Sequence, residues 1–250
     1  MKVRIGYGFG VRTNLNDDGF TTVVDALERL HFDSLWLNFA GTDFVAGGYT
    51  LSDVRLGIFD LTNANFSGLD LSGMYTPNAG VDFTGANLTG AIITGAFLWN
   101  AKGFTTAQIL STNRDWTDTW LPQSPLTVPL DFEGFDFVAG GVTLTGTRTY
   151  RYDLDGANFA AMDLRGTVLL RAWLRNANLT GVDLTGASLA DSLMNGADLS
   201  GSDLSGADLS NVTGLPHGGA SATWTGATCP DRVVVDGTTV TTCVGHGVAA

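Results

Sequence analysis

From Leu144 onward the chain places one central residue, nearly always apolar, at every fifth position without a gap. These centres are Leu144, Thr149, Leu154, Phe159, Leu164, Leu169, Leu174, Leu179, Leu184, Leu189, Met194, Leu199, Leu204 and Leu209. Two positions earlier stands something small, as at Ala157, Ala172, Ala177, Ala187, Ala197, Ser202 and Ala207. Between the two often stands Asp or Asn, as at Asp153, Asn158, Asp163, Asn178, Asp183, Asp198, Asp203 and Asp208. Ser or Thr and then Gly commonly follow, as in Ala197-Asp198-Leu199-Ser200-Gly201. A period of five fits neither a helix nor a flat strand. It reads as three extended residues and a two-residue corner. The centre and the small residue then face inward, and the Asp or Asn between them faces out. Glycine and small polar residues tolerate the corner. One such unit buries nothing alone, so the units must wind and stack. The pattern predicts an all-β solenoid.

An earlier block has the same grammar, with centres Leu51, Leu56, Leu61, Phe66, Leu71 and Thr76, then Phe83, Leu88, Ile93 and Leu98. Its register slips by two residues at Pro77-Asn78, which predicts a bulged corner. The blocks look duplicated. Phe44-Val45-Ala46-Gly47-Gly48 recurs as Phe137-Val138-Ala139-Gly140-Gly141, and Asn65-Phe66 falls on Asn158-Phe159 at the same offset. Between the blocks, Thr105 caps a predicted short helix over 106–110, followed by Trp116, Trp120 and three prolines. This stretch reads as a loop whose tryptophans cover an apolar side wall; a binding flap is the alternative. The predicted organisation is 1–40, a strand-helix-strand segment; 41–103, the first repeat block; 104–131, an insertion; 132–211, the second block; and 212–250, a hairpin tail.

The Ala-Asp/Asn-Leu-x-x units over about 44–103 and 132–211 resemble the pentapeptide-repeat family. That resemblance implies a right-handed, quadrilateral β-helix with four repeats and twenty residues per coil. At twenty-residue spacing Asp163, Asp183 and Asp203 stack, as do Asn158, Asn178 and Asp198. Two wholly polar columns fit four-sided winding. Arg171 and Asp191 are also twenty residues apart and should meet on adjacent coils.

The two ends differ from the blocks. Residues 3–7 and 34–37 read as strands, with an amphipathic helix between them that Asp17 or Asp18 caps. The strings Lys2-Val3-Arg4-Ile5-Gly6 and Leu27–Leu37 resemble the start of luciferase-like flavin or deazaflavin oxidoreductases, which are β/α barrels. His31 departs from the glycine usual there, and only about an eighth of such a barrel is present. No catalytic or cofactor-binding residue is carried over from that likeness. At the other end, Val233–Val235 and Thr238–Val240 read as a hairpin around Asp236-Gly237. That turn would set Cys229 opposite Cys243, with a disulfide expected in an oxidising compartment. Two free buried thiols, or a metal site with His246, are the alternatives. Cysteine-bearing tails of this look end many secreted pentapeptide-repeat proteins, so the resemblance hints at a secreted origin. The N-terminus as written carries no export signal.

Composition sharpens this picture. Among 250 residues there are 33 glycines and 6 prolines, and the net charge is −12. Only Glu28 and Glu133 are glutamates and only Lys2 and Lys102 are lysines. That bias disfavours a helical protein, and the acidity disfavours direct binding to nucleic acid. No apolar run is long enough to span a membrane. There is no Walker loop, no Gly-x-Ser-x-Gly and no His-Glu-x-x-His, and no metal or cofactor is expected. The reading is a non-enzymatic scaffold whose partner is another protein. The alternative is an acidic DNA mimic that binds a type II topoisomerase, as some pentapeptide-repeat proteins do. Its acidic surface would be Asp183, Asp191, Asp198, Asp203 and Asp208. An oxidoreductase fragment is the third possibility.

Overall fold

The computed structural model describes residues 4–6, 12–14, 36–46, 51–53, 56, 58–76, 81–123 and 130–250. The chain divides into two compact units. The first holds residues 1–115 and 119–123, and the second holds 116–118 and 124–250.

The five-residue grammar has a direct structural cause, clearest in the second unit. The carbonyl of nearly every centre accepts a hydrogen bond from the N–H three residues on, as Leu154 does from Ala157 at 3.1 Å. The residue third in that turn has positive φ, for example 64° at Gly156. Glycine reaches that region without a steric penalty. The outward Asp or Asn fixes the entry to the corner. Asp183 Oδ1 accepts the N–H of Thr185 at 3.0 Å and its hydroxyl at 2.6 Å. This explains why Asp or Asn precedes the centre and Ser or Thr follows it: the short side chain mimics a backbone turn.

Coil-to-coil pairing then defines four columns in the second unit. They are Asp153–Trp173–Leu193–Thr213, Asp136–Asn158–Asn178–Asp198–His217, Asp163–Asp183–Asp203–Thr223 and Val168–Ser188–Asp208–Thr228, all parallel. Four columns, each joining successive coils, make a four-sided β-solenoid. Most rungs are single bridges; β5 (Arg148–Tyr150) and β6 (Val168–Leu170) are long enough to pair as parallel strands. Every centre from Leu144 to Leu209 is buried, and so are the small residues Ala157, Ala172, Ala177, Ala187, Ala197, Ser202 and Ala207. The core is therefore a stack of Leu, Phe and Met centres with small side chains filling beside them.

The first unit winds more widely. Asp43, Asn65 and Asn87 pair on successive coils at a separation of 22. The slip at Pro77-Asn78 lies outside the described residues. In the second unit Asp136 and Asn158 are also 22 apart, whereas Asn158 and Asn178 are 20 apart. The two extra residues fit the Phe137–Val142 corner, where Val142 N–H reaches the Phe137 carbonyl at 3.2 Å. Interior rings repeat at the duplicated offset: Phe44 stacks on Phe66 at 4.8 Å, and Phe137 on Phe159 at 4.6 Å.

In the stretch 104–131 the part after the short helix departs from the expected loop. Helix α1 (Thr106–Ser111) has a full capping box between Thr105 and Gln108. Gln108 Nε2 donates to the carbonyls of Phe83 and Ala86 at 3.0 and 2.9 Å, which docks the helix on the coil before it. Winding then resumes within the same stretch, since Trp120 pairs with Phe97. Trp116 is 1% exposed and meets Phe132 and Phe137, so it is a core residue of the second unit and not a side-wall cover.

Both ends correct the expectations. The helix expected over 17–30 lies outside the described residues. Strand β1 (Arg4–Gly6) pairs antiparallel with β2 (Arg12–Asn14) and with β3 (Trp36–Asn38). Neighbouring strands of a β/α barrel run parallel, so the luciferase-like resemblance has no support. Strand β3 instead pairs parallel with β4 (Ile58–Asp60), adding a rung to the first unit. At the C-terminus the winding continues past Leu209. Thr213, His217, Thr223 and Thr228 join the columns, and Trp224 and Cys229 are buried. The expected hairpin does not form. Val233–Val235 folds back antiparallel on the last rung, with Val235 N–H to Ala227 O at 2.9 Å and Cys229 N–H to Val233 O at 2.8 Å. An open rung edge leaves backbone groups unpaired, and that need outweighs a local Asp-Gly turn. Asp236 still organises a tight loop, accepting the N–H groups of Thr238, Thr239 and Val240.

Two substitutions test this core in opposite directions. Leu184 is fully buried, so Leu184→Ala should lose about 2–5 kcal/mol in chemical denaturation. Ser192 stands where the repeat prefers Ala, and its Oγ is buried without a hydrogen bond. Ser192→Ala should therefore raise stability by about 1 kcal/mol, read as a higher melting temperature.

Candidate functional site

The outward residue of each repeat points away from the core, so each side carries its own column of chemistry. One column is an amide ladder. In the first unit Asn65 Nδ2 donates to Asp43 Oδ1 and Asn87 Nδ2 to Asn65 Oδ1, both at 3.0 Å. In the second, Asn158 donates to Asp136 at 3.1 Å and Asn178 to Asn158 at 3.0 Å. Each ladder starts on an aspartate, which can accept but not donate when ionised.

The acidic residues do not gather. Asp183 and Asp203 share one column, Asp198 belongs to the amide column and Asp208 to a third. Asp191 is a corner residue with φ 58°. It lies 3.6 Å from Arg171 Nε, so those two residues do meet on adjacent coils. Four of the five carboxylates hold the turn of their own repeat: Asp183, Asp198, Asp203 and Asp208 each accept the N–H two residues on. Arginines interrupt the remaining charge. Arg165 meets Asp163 at 2.7 Å and Arg175 pairs with Asp155, while Arg171 donates to the Tyr150 hydroxyl at 2.7 Å.

These bonds shift titration. The Arg165 guanidinium holds the Asp163 carboxyl down at about 2. The Ser72 hydroxyl lowers Asp70, the Ser200 hydroxyl lowers Asp198, and the Thr239 hydroxyl leads four donors that lower Asp236. Burial pushes Asp153 the other way.

One side of the first unit breaks the polar rule. Tyr75, Phe97 and Trp120 occupy outward positions on successive coils, with ring centroids 4.8 Å apart at both steps. Trp99 lies beside them, 5.8 Å from Trp120. Sequence reasoning passed over this column because its members are 22 and 23 residues apart, not 20. The signal was present in Tyr75 and Phe97, which precede the centres Thr76 and Leu98 where Asp or Asn is usual.

Cys229 and Cys243 are both buried, with their sulfurs at disulfide distance and Cα atoms 5.3 Å apart. His246 Nδ1 lies 2.7 Å from Asp231 Oδ2. The metal alternative is left without its ligands, because the two sulfurs face each other and the imidazole faces a carboxylate. Among the described residues no cluster of three or more His, Cys, Asp and Glu side chains could hold a metal ion. No helix is long and apolar enough to cross a membrane among the described residues. Two interior cavities in the first unit are lined almost wholly by apolar residues such as Leu71, Phe66, Met74 and Phe83, and by no acid or base.

Residues 79–103, 153–181 and 177–213 match the family of pentapeptide repeats, in eight copies. Those residues carry pentapeptide repeats, and the fold around them is a β-solenoid. Comparison with curated proteins returns no match. Similar solved structures include QnrB1, a plasmid-mediated fluoroquinolone resistance protein. It is 20% identical, with 76% of this chain and 84% of that one covered and a TM-score of 0.33. HetL, from the cyanobacterium Nostoc sp. strain PCC 7120 and involved in heterocyst differentiation regulation, is 20% identical. Coverage there is 76% and 95%, and the TM-score is 0.22. A pentapeptide-repeat protein of the Arabidopsis thaliana thylakoid lumen is 25% identical, with coverage of 34% and 60% and a TM-score of 0.21.

Two predictions concern these groups. Asp70, Asp163, Asp198 and Asp236 titrate below the usual carboxylate value in the folded chain. Their contribution is present above about pH 4, the ordinary unfolded value, and is lost as pH falls through the folded values. Melting temperatures measured from pH 7 to pH 2 should fall mainly below pH 4. The second concerns the tail. Protein made under oxidising conditions should resist alkylation at Cys229 and Cys243 until reduced, as read by mass spectrometry. Closing so short a loop is worth at most about 3 kcal/mol. Reduction should therefore raise hydrogen exchange in 233–248 and leave 144–209 protected.

Proposed function

We propose that this chain is a non-enzymatic scaffold whose sides dock another protein. The observation that carries the reading is the contrast between inward and outward positions. Inward positions are uniform in chemistry from coil to coil. Outward columns differ from side to side: amide at Asn158–Asn178, carboxylate at Asp163–Asp183–Asp203, aromatic at Tyr75–Phe97–Trp120. Such differences do nothing for the core, which every side builds alike. They give each side a distinct face with fixed spacing, and repeat solenoids use such surfaces for binding. The aspartates, which could otherwise invite an acid–base reading, are occupied in corners and ion pairs.

The acidic-mimic reading has less support. It needs carboxylates ranked on one surface, and Asp183, Asp191, Asp198, Asp203 and Asp208 fall on three sides and a corner. The oxidoreductase reading loses its basis with the antiparallel pairing of β1 and β3.

Affinity capture from the native host, followed by mass spectrometry, tests the proposal. The expected result is one or a few proteins retained in stoichiometric amount and competed away by excess free chain. A supercoiling assay with DNA gyrase should show no inhibition at micromolar chain. Inhibition there would move the reading to the acidic mimic. Retention of nothing by the folded chain would sink the scaffold.

A further inference from the structure

We infer that the chain carries corner locks, in which the side-chain oxygen of an Asp or Asn in one coil seats against a glycine of the next and fixes the register between the two. The inference concerns the winding itself and does not depend on the scaffold reading.

Among the described residues, Asp or Asn holds positive φ at Asp53, Asn63, Asp118, Asn176, Asp191 and Asn211. At the first four the backbone N–H donates to the carbonyl just before a glycine of the next coil. Asp53 reaches Ser72, Asn63 reaches Thr84, Asp118 reaches Thr145 and Asn176 reaches Asn195, all at 2.8–2.9 Å. The side-chain oxygen then lies against that glycine, on the side a side chain would occupy. A Cβ at Gly196 would stand 2.5 Å from Asn176 Oδ1. A Cβ at Gly73, Gly85 or Gly146 would meet the Oδ1 of Asp53, Asn63 or Asp118 more closely still. Glycines that follow a glycine or an alanine at the corner are different: a Cβ at Gly181, Gly186 or Gly201 would meet nothing within 4 Å. The remaining two corners face a side chain and pair with it instead. Asp191 accepts from Asn211 Nδ2 at 3.0 Å, and Asn211 accepts from Arg232 Nε at 3.1 Å. The seat is thus used where the next coil offers a glycine, and given up where it offers a side chain.

Such a seat selects a register. Each of the four glycines is flanked by residues that carry a Cβ: Ser72 and Met74, Thr84 and Ala86, Thr145 and Thr147, Asn195 and Ala197. Sliding one coil past the next by a single residue would drive that Cβ into the oxygen. A clash in the wrong pairing makes the right one unique. Asp and Asn suit the task because they tolerate left-handed backbone and keep their oxygen close to it. The seat also recurs at different lengths of intervening chain. Its partners lie 20 residues apart at Asp53–Gly73 and Asn176–Gly196, 22 apart at Asn63–Gly85 and 28 apart at Asp118–Gly146. Two of the four therefore stand where the coil departs from twenty, and there the five-residue period alone does not say which residue comes opposite.

Paired glycine substitutions in the full chain test the lock by thermal denaturation. Gly196 and Gly201 are successive corners with φ 71° and 68°, so alanine meets the same backbone penalty at both. Gly196→Ala should lower the melting temperature by at least about 2 °C more than Gly201→Ala. In an Asn176→Gly background the two alanines should cost the same. The lock should also be transferable: Ala161→Asn should make Gly181→Ala costlier than it is in the wild type. Should Gly196→Ala not fold, adding Asn176→Gly should recover a folded chain, and no recovery would overturn the inference. Equal costs at Gly196 and Gly201 in the wild type would also overturn it. So would a penalty at Gly196 that survives Asn176→Gly, because it would then belong to the glycine's own coil. A Gly181→Ala cost unmoved by Ala161→Asn would count against it in the same way.

Discussion

A backbone that turns a corner every five residues leaves its N–H and C=O groups pointing along the direction of winding. Those groups find partners only in the next coil. Leu184 N–H reaches Asp203 O at 2.7 Å, and Asp203 N–H reaches back to Val182 O at 2.9 Å. Buried backbone groups left unpaired are costly, so the chain must return to the same side at a fixed interval. The glycines with positive φ, the aspartates that bond their own corners and the small residues beside each centre all serve that return. Where the interval changes, the corner changes with it, as at Phe137–Val142.

The same constraint shapes the ends. A coil with no successor has an open edge, and both ends cover it by pairing. Strand β3 adds a rung at Ile58–Asp60, and Val233–Val235 folds back against Ala227–Cys229. Cys229, a centre of the last rung, also lies at disulfide distance from Cys243 in the tail that covers it.

Much of this was legible in the sequence because the five-residue period is local. Leu144 to Leu209 are each marked by neighbours within a few residues, and all are buried. Strand direction is not local, and residues 1–38 show the consequence: a strand pattern at Arg4–Gly6 says nothing about whether its neighbour runs parallel. The tail misled for a similar reason. Asp236-Gly237 is a genuine turn signal, but Val233–Val235 had a better partner in a rung edge, which no short window reveals. The acidic stretch misled by its linear spacing. Five carboxylates close in sequence look like a patch, yet winding sends successive repeats to different sides, so only Asp183 and Asp203 stay together. The aromatic column was hidden by the reverse effect, its members being far apart in sequence and adjacent in space.

The winding also limits how such a gene can change length. Each side is assembled from every fourth repeat, so losing or gaining one five-residue unit would move every later outward residue to the neighbouring side. The centres would remain buried and the fold would survive, while the amide ladder of Asn158 and Asn178 would be cut and every surface beyond the change rotated by a quarter turn. Only insertions or deletions of whole coils keep the sides in phase. Stability alone would tolerate either kind of change; a surface that must be recognised would accept only the second.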